Sequence, residues 1–160
     1  MDDKGKIKPA TLIIGYQRLS GVIDNCRYAL ECGLNRIYVS LDGPKSLETH
    51  EIQRQIIFSL QRIEKENPSC QIKLQTSRNN LGIAVGVVSA LDWFFEQEDF
   101  GIILEDDLRP HPDFVEFCSQ ALLIYSENPD VWLISGNQYF PSIRSEEHTS
   151  ELQSRQYLVC

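Results

Sequence analysis

The stretch Gly101-Ile102-Ile103-Leu104-Glu105-Asp106-Asp107 decides how the rest of the chain is read. Ile102, Ile103 and Leu104 form a short, unbroken apolar run rich in β-branched residues, the pattern of a strand covered on both faces in a parallel sheet. Three carboxylates follow it with no spacer. Adjacent carboxylates repel one another, so bringing them to the end of a buried strand is costly unless a cation is present. If extended geometry persists to residue 107, Glu105 and Asp107 point one way and Asp106 the other.

Outward from this stretch the same alternation recurs. Apolar runs at residues 10–16, 36–41, 71–76 and 131–135 predict four further buried strands. Between them lie segments of helical period. Val22, Cys26 and Ala29 open the first, with Ser20 as its N-cap and Gly33 as its stop. Ile52, Ile56, Leu60 and Ile63 stripe the second, which ends before Pro68. Ile83, Val87, Leu91 and Phe94 stripe the third. In the fourth, Pro112 suits the first turn, and Phe114, Phe117, Ala121 and Ile124 face inward before Pro129. Strand and helix in strict succession predict βαβ crossovers, and so an α/β, Rossmann-like domain with a mostly parallel sheet flanked by helices.

In such sheets ligands bind outside the carboxyl ends of the strands. Those ends carry Gly15-Tyr16-Gln17-Arg18, Asp42-Gly43-Pro44-Lys45, Asn79-Asn80-Leu81-Gly82, the acidic triplet, and Gly136-Asn137-Gln138. Oxygen-only ligands suit a hard cation such as Mn²⁺ or Mg²⁺, which keeps waters and shares itself with substrate phosphates. Arg18 can balance a diphosphate or stand as an ordinary exposed arginine. Asp42 can accept from a base or ribose, or serve the Asp-Gly-Pro turn itself. Lys45 reads as a solvated turn residue, Asn80 and Gly82 as shapers of a helix start, and His111 as a helix neighbour. There is no G-x-x-x-x-G-K-[ST], no G-x-G-x-x-G and no G-x-S-x-G, which excludes the P-loop, the dinucleotide fingerprint and the hydrolase elbow.

The totals fit one domain with a true core: 160 residues, 42% hydrophobic and 24% charged. The net charge of -8 argues against a nucleic-acid-backbone binder, which needs clustered Lys and Arg. No apolar run approaches the ~20 residues of a membrane helix, and the polar start, Met1-Asp2-Asp3-Lys4, leads into no signal-type segment; a cytoplasmic location is the expectation. The five cysteines make no CxxC pair and read as small buried hydrophobes.

The succession GYQR, SLDG, NNLG, IILEDDLRPHPDFVEF and NPDVWLISGNQ resembles the donor-binding half of GT-A-fold glycosyltransferases over residues 10–140. The likeness is to the N-acetylglucosaminyltransferase I type and its bacterial family-2-like relatives. Its most specific part is the strand followed by EDDL-x-P-x-PDF, where Glu105-Asp106-Asp107 stands at the family's DxD-type metal motif. The resemblance implies a metal-dependent, inverting transfer from a nucleotide sugar, most simply a UDP-sugar, to a glycan or other hydroxyl acceptor. By the same resemblance Asp107 is the Mn²⁺ (or Mg²⁺) ligand and Asp106 bonds the donor sugar. Glu105 meets the ribose or a metal-bound water, Asp42 the base, and Arg18 the base–phosphate region. The family's catalytic base lies further along than residue 143 and has no candidate here. Eukaryotic members carry a membrane anchor, and the lack of an apolar run points to a bacterial relative.

Residues 144–160, RSEEHTSELQSRQYLVC, lack helical or strand period and resemble a translated sequencing adapter. They are expected to be a non-native, disordered tail, which leaves residues 1–143 as a C-terminally truncated GT-A domain. Three rivals remain. A sugar nucleotidyltransferase needs a Gly-rich basic loop after the first strand, where Gly15-Tyr16-Gln17-Arg18 is poor in glycine. A phospho-receiver domain needs acids there, where Gln17 and Arg18 stand. The third is a truncated fragment that binds donor without transferring it.

Overall fold

A computed structural model describes residues 8–136 and the backbone of 156–159. The strand–helix succession holds: β1 (Ala10–Gly15), α1 (Leu19–Glu31), β2 (Arg36–Leu41), α2 (Leu47–Glu66), β3 (Gln71–Thr76), α3 (Gly82–Phe95), β4 (Gly101–Glu105), α4 (Phe114–Tyr125), β5 (Leu133–Ser135) and β6 (Gln156–Val159). Strands lie in the order β3-β2-β1-β4-β6-β5. The first four are all parallel, with β1 between β2 and β4. The protein is therefore α/β, with a four-stranded parallel sheet flanked by helices.

Strand period sorts the core into two faces. Ile13, Ile37, Val39, Leu41, Ile102 and Leu104 point to one side and pack with α1, α2 and α4. The alternate residues Ala10, Leu12, Tyr38 and Ile103 point to the other, where Ala90 and Phe94 of α3 cover them. Phe94 is fully buried and meets Tyr38 edge-on, ring centroids 4.9 Å apart. It lies directly on Gly101, where a Cβ would overlap its ring.

The helix ends follow local chemistry. Gly33, at φ 76°, donates to Leu30 O at 2.9 Å while Leu34 donates to Ala29 O at 2.9 Å. This is a Schellman ending, and the left-handed residue in it favours glycine. Ser46 caps α2 by accepting from the Thr49 amide at 3.1 Å, and α2 stops before Pro68 as the sequence predicts.

Several expectations are corrected. Ser20 does not cap α1: the helix starts at Leu19, because the Val22 amide already bonds Arg18 O at 3.1 Å. Pro112 lies in a turn ahead of α4. The inward face of α4 is Phe114, Val115, Cys118, Ala121 and Leu122, with Phe117 and Ile124 exposed; apolar residues surround this helix, so the period alone did not orient it. Ile83 is exposed because the first turns of α3 overhang the end of the sheet. β3 is an edge strand with partial burial, and β5 is separated from β4 by β6.

β6 runs antiparallel to both β4 and β5. It falls inside the stretch read as a disordered tail, and departs from that reading. Tyr157 and Val159 are strand-favouring residue types, and the open edge of β4 supplies backbone groups that must be paired. Residues 137–155 and 160, including the 143/144 boundary, lie outside the described residues.

Cys26, Cys70 and Cys118 are buried and Cys32 half-buried, all as free thiols. Burial pushes the Cys26 thiol up to about 12, consistent with a core role. Among the described residues no helix is long and apolar enough to cross a membrane.

The division of the core makes Phe94 the anchor of an entire face. Phe94→Ala is expected to lower unfolding free energy by about 3–5 kcal/mol in urea titrations. Val88→Ala, on the exposed side of the same helix, should stay within about 0.5 kcal/mol.

Candidate functional site

From β1 the chain returns through α1 and α2 toward one edge; from β3 it crosses back through α3 to β4, on the far side of β1. Strand order thus reverses between β1 and β4. Their carboxyl ends diverge into a crevice, the position where open α/β sheets bind ligands. A cleft of about 440 Å³ opens there, lined by Gly15 to Arg18, by Asp42 and Lys45, by the first turns of α3, and by Glu105, Asp106 and Asp107. All five residues singled out from the sequence, Arg18, Asp42, Glu105, Asp106 and Asp107, are brought to this one cleft.

The acidic triplet does not continue as a strand. β4 ends at Glu105, and the Leu108 amide donates to Glu105 O at 3.1 Å, closing a turn. The predicted up-down alternation therefore stops at Glu105, and Asp106 and Asp107 both reach the same arginine. Arg18 Nη1 lies 3.3 Å from Asp106 Oδ1 and 2.9 Å from Asp107 Oδ2. The hydrogen bond to Asp107, then the charge of Asp106, raises the Arg18 pKa further, so the guanidinium is a fixed positive charge. Asp106 is the inner carboxylate, its side chain 13% exposed, whereas that of Asp107 is 50% exposed. Asp106 Oδ2 also accepts the Tyr16 amide at 3.0 Å. These donors offset the cost of drawing a carboxylate toward the sheet.

Helix α1 holds this turn from beneath. Asn25, 1% exposed, donates to Glu105 O at 3.0 Å. Gly21 presses against the Asp106 backbone so closely that a Cβ would overlap its carbonyl. Neither residue stood out in the sequence, because their roles depend on a partner about eighty residues away.

Asp42 is engaged on the opposite wall. Oδ1 accepts from the amides of Gly43 at 2.7 Å and Leu81 at 2.8 Å. Oδ2 accepts from Asn80 Nδ2 at 2.9 Å and the Gly82 amide at 3.0 Å. A carboxylate has about four acceptor positions, and these donors use them. Asp42 thus clamps the start of α3 to the end of β2, beside Gly82 at φ 76°. Of the two roles read for Asp42, these bonds show the turn-holding one; its negative charge also suits the N-terminus of a helix. Asn80 shapes the helix start as read.

Gln53, buried on α2, joins the walls: its Nε2 donates to Tyr16 O at 3.0 Å and Asp42 O at 2.7 Å. The Lys45 amide donates to the Tyr16 hydroxyl at 3.2 Å. Tyr16 is accordingly tied to α2, to the loop after β2 and to the turn after β4. Apolar-to-polar transition at residues 15–17 marked the strand end, but not these bonds. His111 faces outward by Asp113, with Nδ1 3.5 Å from its carboxylate.

Among the described residues no three His, Cys, Asp or Glu side chains gather as a metal cage. The cleft instead presents Asp107, half exposed, and an oxygen-only acidic turn. Such a donor set could hold a hard cation such as Mn²⁺ or Mg²⁺ through one or two carboxylates. No protein-family model matches the chain, and no curated protein matches it.

Two substitutions test this construction. Gly21→Ala must displace the acidic turn and should cost about 1–3 kcal/mol, with amide resonances of residues 105–108 moving in heteronuclear NMR spectra. Asp42→Ala strands the amides of Gly43, Leu81 and Gly82. A loss of about 1–3 kcal/mol is expected in chemical denaturation, with hydrogen exchange accelerated at the start of α3; unchanged exchange would contradict the clamp.

Proposed function

We propose that this chain is the nucleotide-sugar- and metal-binding part of a glycosyltransferase of the GT-A type that its sequence resembles. It would pass a sugar from a UDP-sugar to a glycan or other hydroxyl acceptor. The observation that carries the reading is a coincidence of place. The acidic turn 105–107, the permanently charged Arg18 and the amino end of α3 face one cleft at the point of strand reversal.

Each residue then has a task. Asp107, the outer carboxylate, would hold the Mn²⁺ or Mg²⁺. Arg18 offers a forked, permanently charged donor for the diphosphate. Asp106 sets the turn through Tyr16, and its Oδ1 is the atom it can offer a donor sugar. Glu105 would serve the ribose or a metal-bound water. Ile83, Gly86 and Val87 give the opposite wall an apolar ledge, on which a planar base can lie. A cation held by Asp107 would supply Lewis-acid stabilisation for a departing nucleoside diphosphate.

Binding without transfer tests the proposal directly. A UDP-sugar at about 100 times its dissociation constant adds about 2.7 kcal/mol of stability. At this chain length that is a rise in Tm of roughly 5–10 °C. The rise should require Mn²⁺ and vanish in Asp107→Ala. A set of nucleoside diphosphate sugars that leaves Tm unmoved with Mn²⁺ present would refute the reading.

A further inference from the structure

We infer, resting on the donor-site reading above, that Arg18 is the resident counter-cation of the acidic turn and couples cation binding to nucleotide binding. It occupies Asp107 against a divalent ion until a diphosphate draws the guanidinium away.

One nitrogen, Nη1, makes both contacts, at 2.9 Å to Asp107 and 3.3 Å to Asp106. The two carboxylates are not equivalent partners. Asp106 is the inner one, and it takes the Tyr16 amide on Oδ2 while Arg18 lies on Oδ1. Asp107 is half exposed, and Arg18 is 57% exposed. The pair that can open is therefore Arg18 with Asp107. Arg18 also stands at the N-cap of α1, outside the helix proper, so its side chain can swing without disturbing packing.

A divalent ion on Asp107 would place two like charges on one carboxylate, and Arg18 must then withdraw. A diphosphate in the same cleft reverses the balance. It gives the guanidinium two anionic groups to fork, and it gives the ion phosphate oxygens to complete its shell. Arg18 thus opposes the ion alone and favours the ion with nucleotide. By linkage the coupling is reciprocal: the ion strengthens nucleotide binding by the same factor. Solvent exposure keeps the pair weak, so the antagonism is small and the cleft stays available.

The test measures Mn²⁺ affinity of the whole chain from the paramagnetic resonance signal of free Mn²⁺, with and without saturating UDP. Wild type, Arg18→Gln and Arg18→Lys are compared, each first shown to be folded by its thermal midpoint. Arg18→Gln should bind Mn²⁺ alone about two- to fivefold more tightly, the range an exposed ion pair allows. UDP should tighten Mn²⁺ binding about fivefold or more in wild type, and distinctly less in Arg18→Gln. Arg18→Lys keeps the charge but loses the fork. It should match wild type with Mn²⁺ alone and fall short of it with UDP.

Unchanged Mn²⁺ affinity in Arg18→Gln, or an undiminished effect of UDP, overturns the coupling. If wild type still shows the Mn²⁺-dependent UDP-sugar shift in that case, the donor site stands without the coupling. A chain that binds neither Mn²⁺ nor UDP-sugar overturns both.

Discussion

Beyond the last β1–β4 pair, Ile14 with Glu105, the ladder is carried on by Asp106. Its amide donates to Ile14 O at 2.9 Å, and its carboxylate accepts the Tyr16 amide in turn. A side chain thereby does the work of the next backbone pair. The two strand ends stay in register while their chains part toward α1 and the acidic turn. The mouth of the cleft has its width because this one carboxylate joins its two sides, and Gly21 allows α1 to come close enough to support it.

A second carboxylate holds the far wall by similar means. Asp42 gathers three amides and one side-chain amide at the start of α3. Such a clamp is needed because, among the described residues, α3 alone covers its face of the sheet. Its later residues, Ala90 and Phe94, are fixed by packing; its first turns face the cleft at the strand ends. Hydrogen bonds take over where burial ends. The cleft thus has rigid polar hinges at both ends and an apolar ledge between.

The charge distribution follows from the same arrangement. Of the two aspartates in the turn, the inner one is satisfied by protein donors. Among the described residues the outer one is paired with a solvent-exposed arginine alone, an interaction worth at most about 1 kcal/mol. The inner acid is suited to building the site, and the outer to exchanging partners. Adjacent residues of one type acquire different tasks through a difference in depth.

Much of the architecture was legible in the chain itself. Apolar runs at residues 36–41 and 71–76 coincide with β2 and β3, and Gly33 stops α1, because strand burial and left-handed turns act through neighbouring residues. The same local logic drew Arg18, Asp42, Glu105, Asp106 and Asp107 out as strand-end groups. Tertiary structure decided what each of them touches. It turned 106–107 out of the strand, spent Asp42 on the start of α3, rotated α4 away from Phe117, and recruited Gly21, Asn25 and Gln53. It also put Gln156–Val159 into the sheet, where composition suggested no order. The physical reason is distance along the chain: periodicity reports which face of an element is buried, whereas Asp106 with Tyr16, or Gln53 with Asp42, depends on elements that meet only once the sheet has formed.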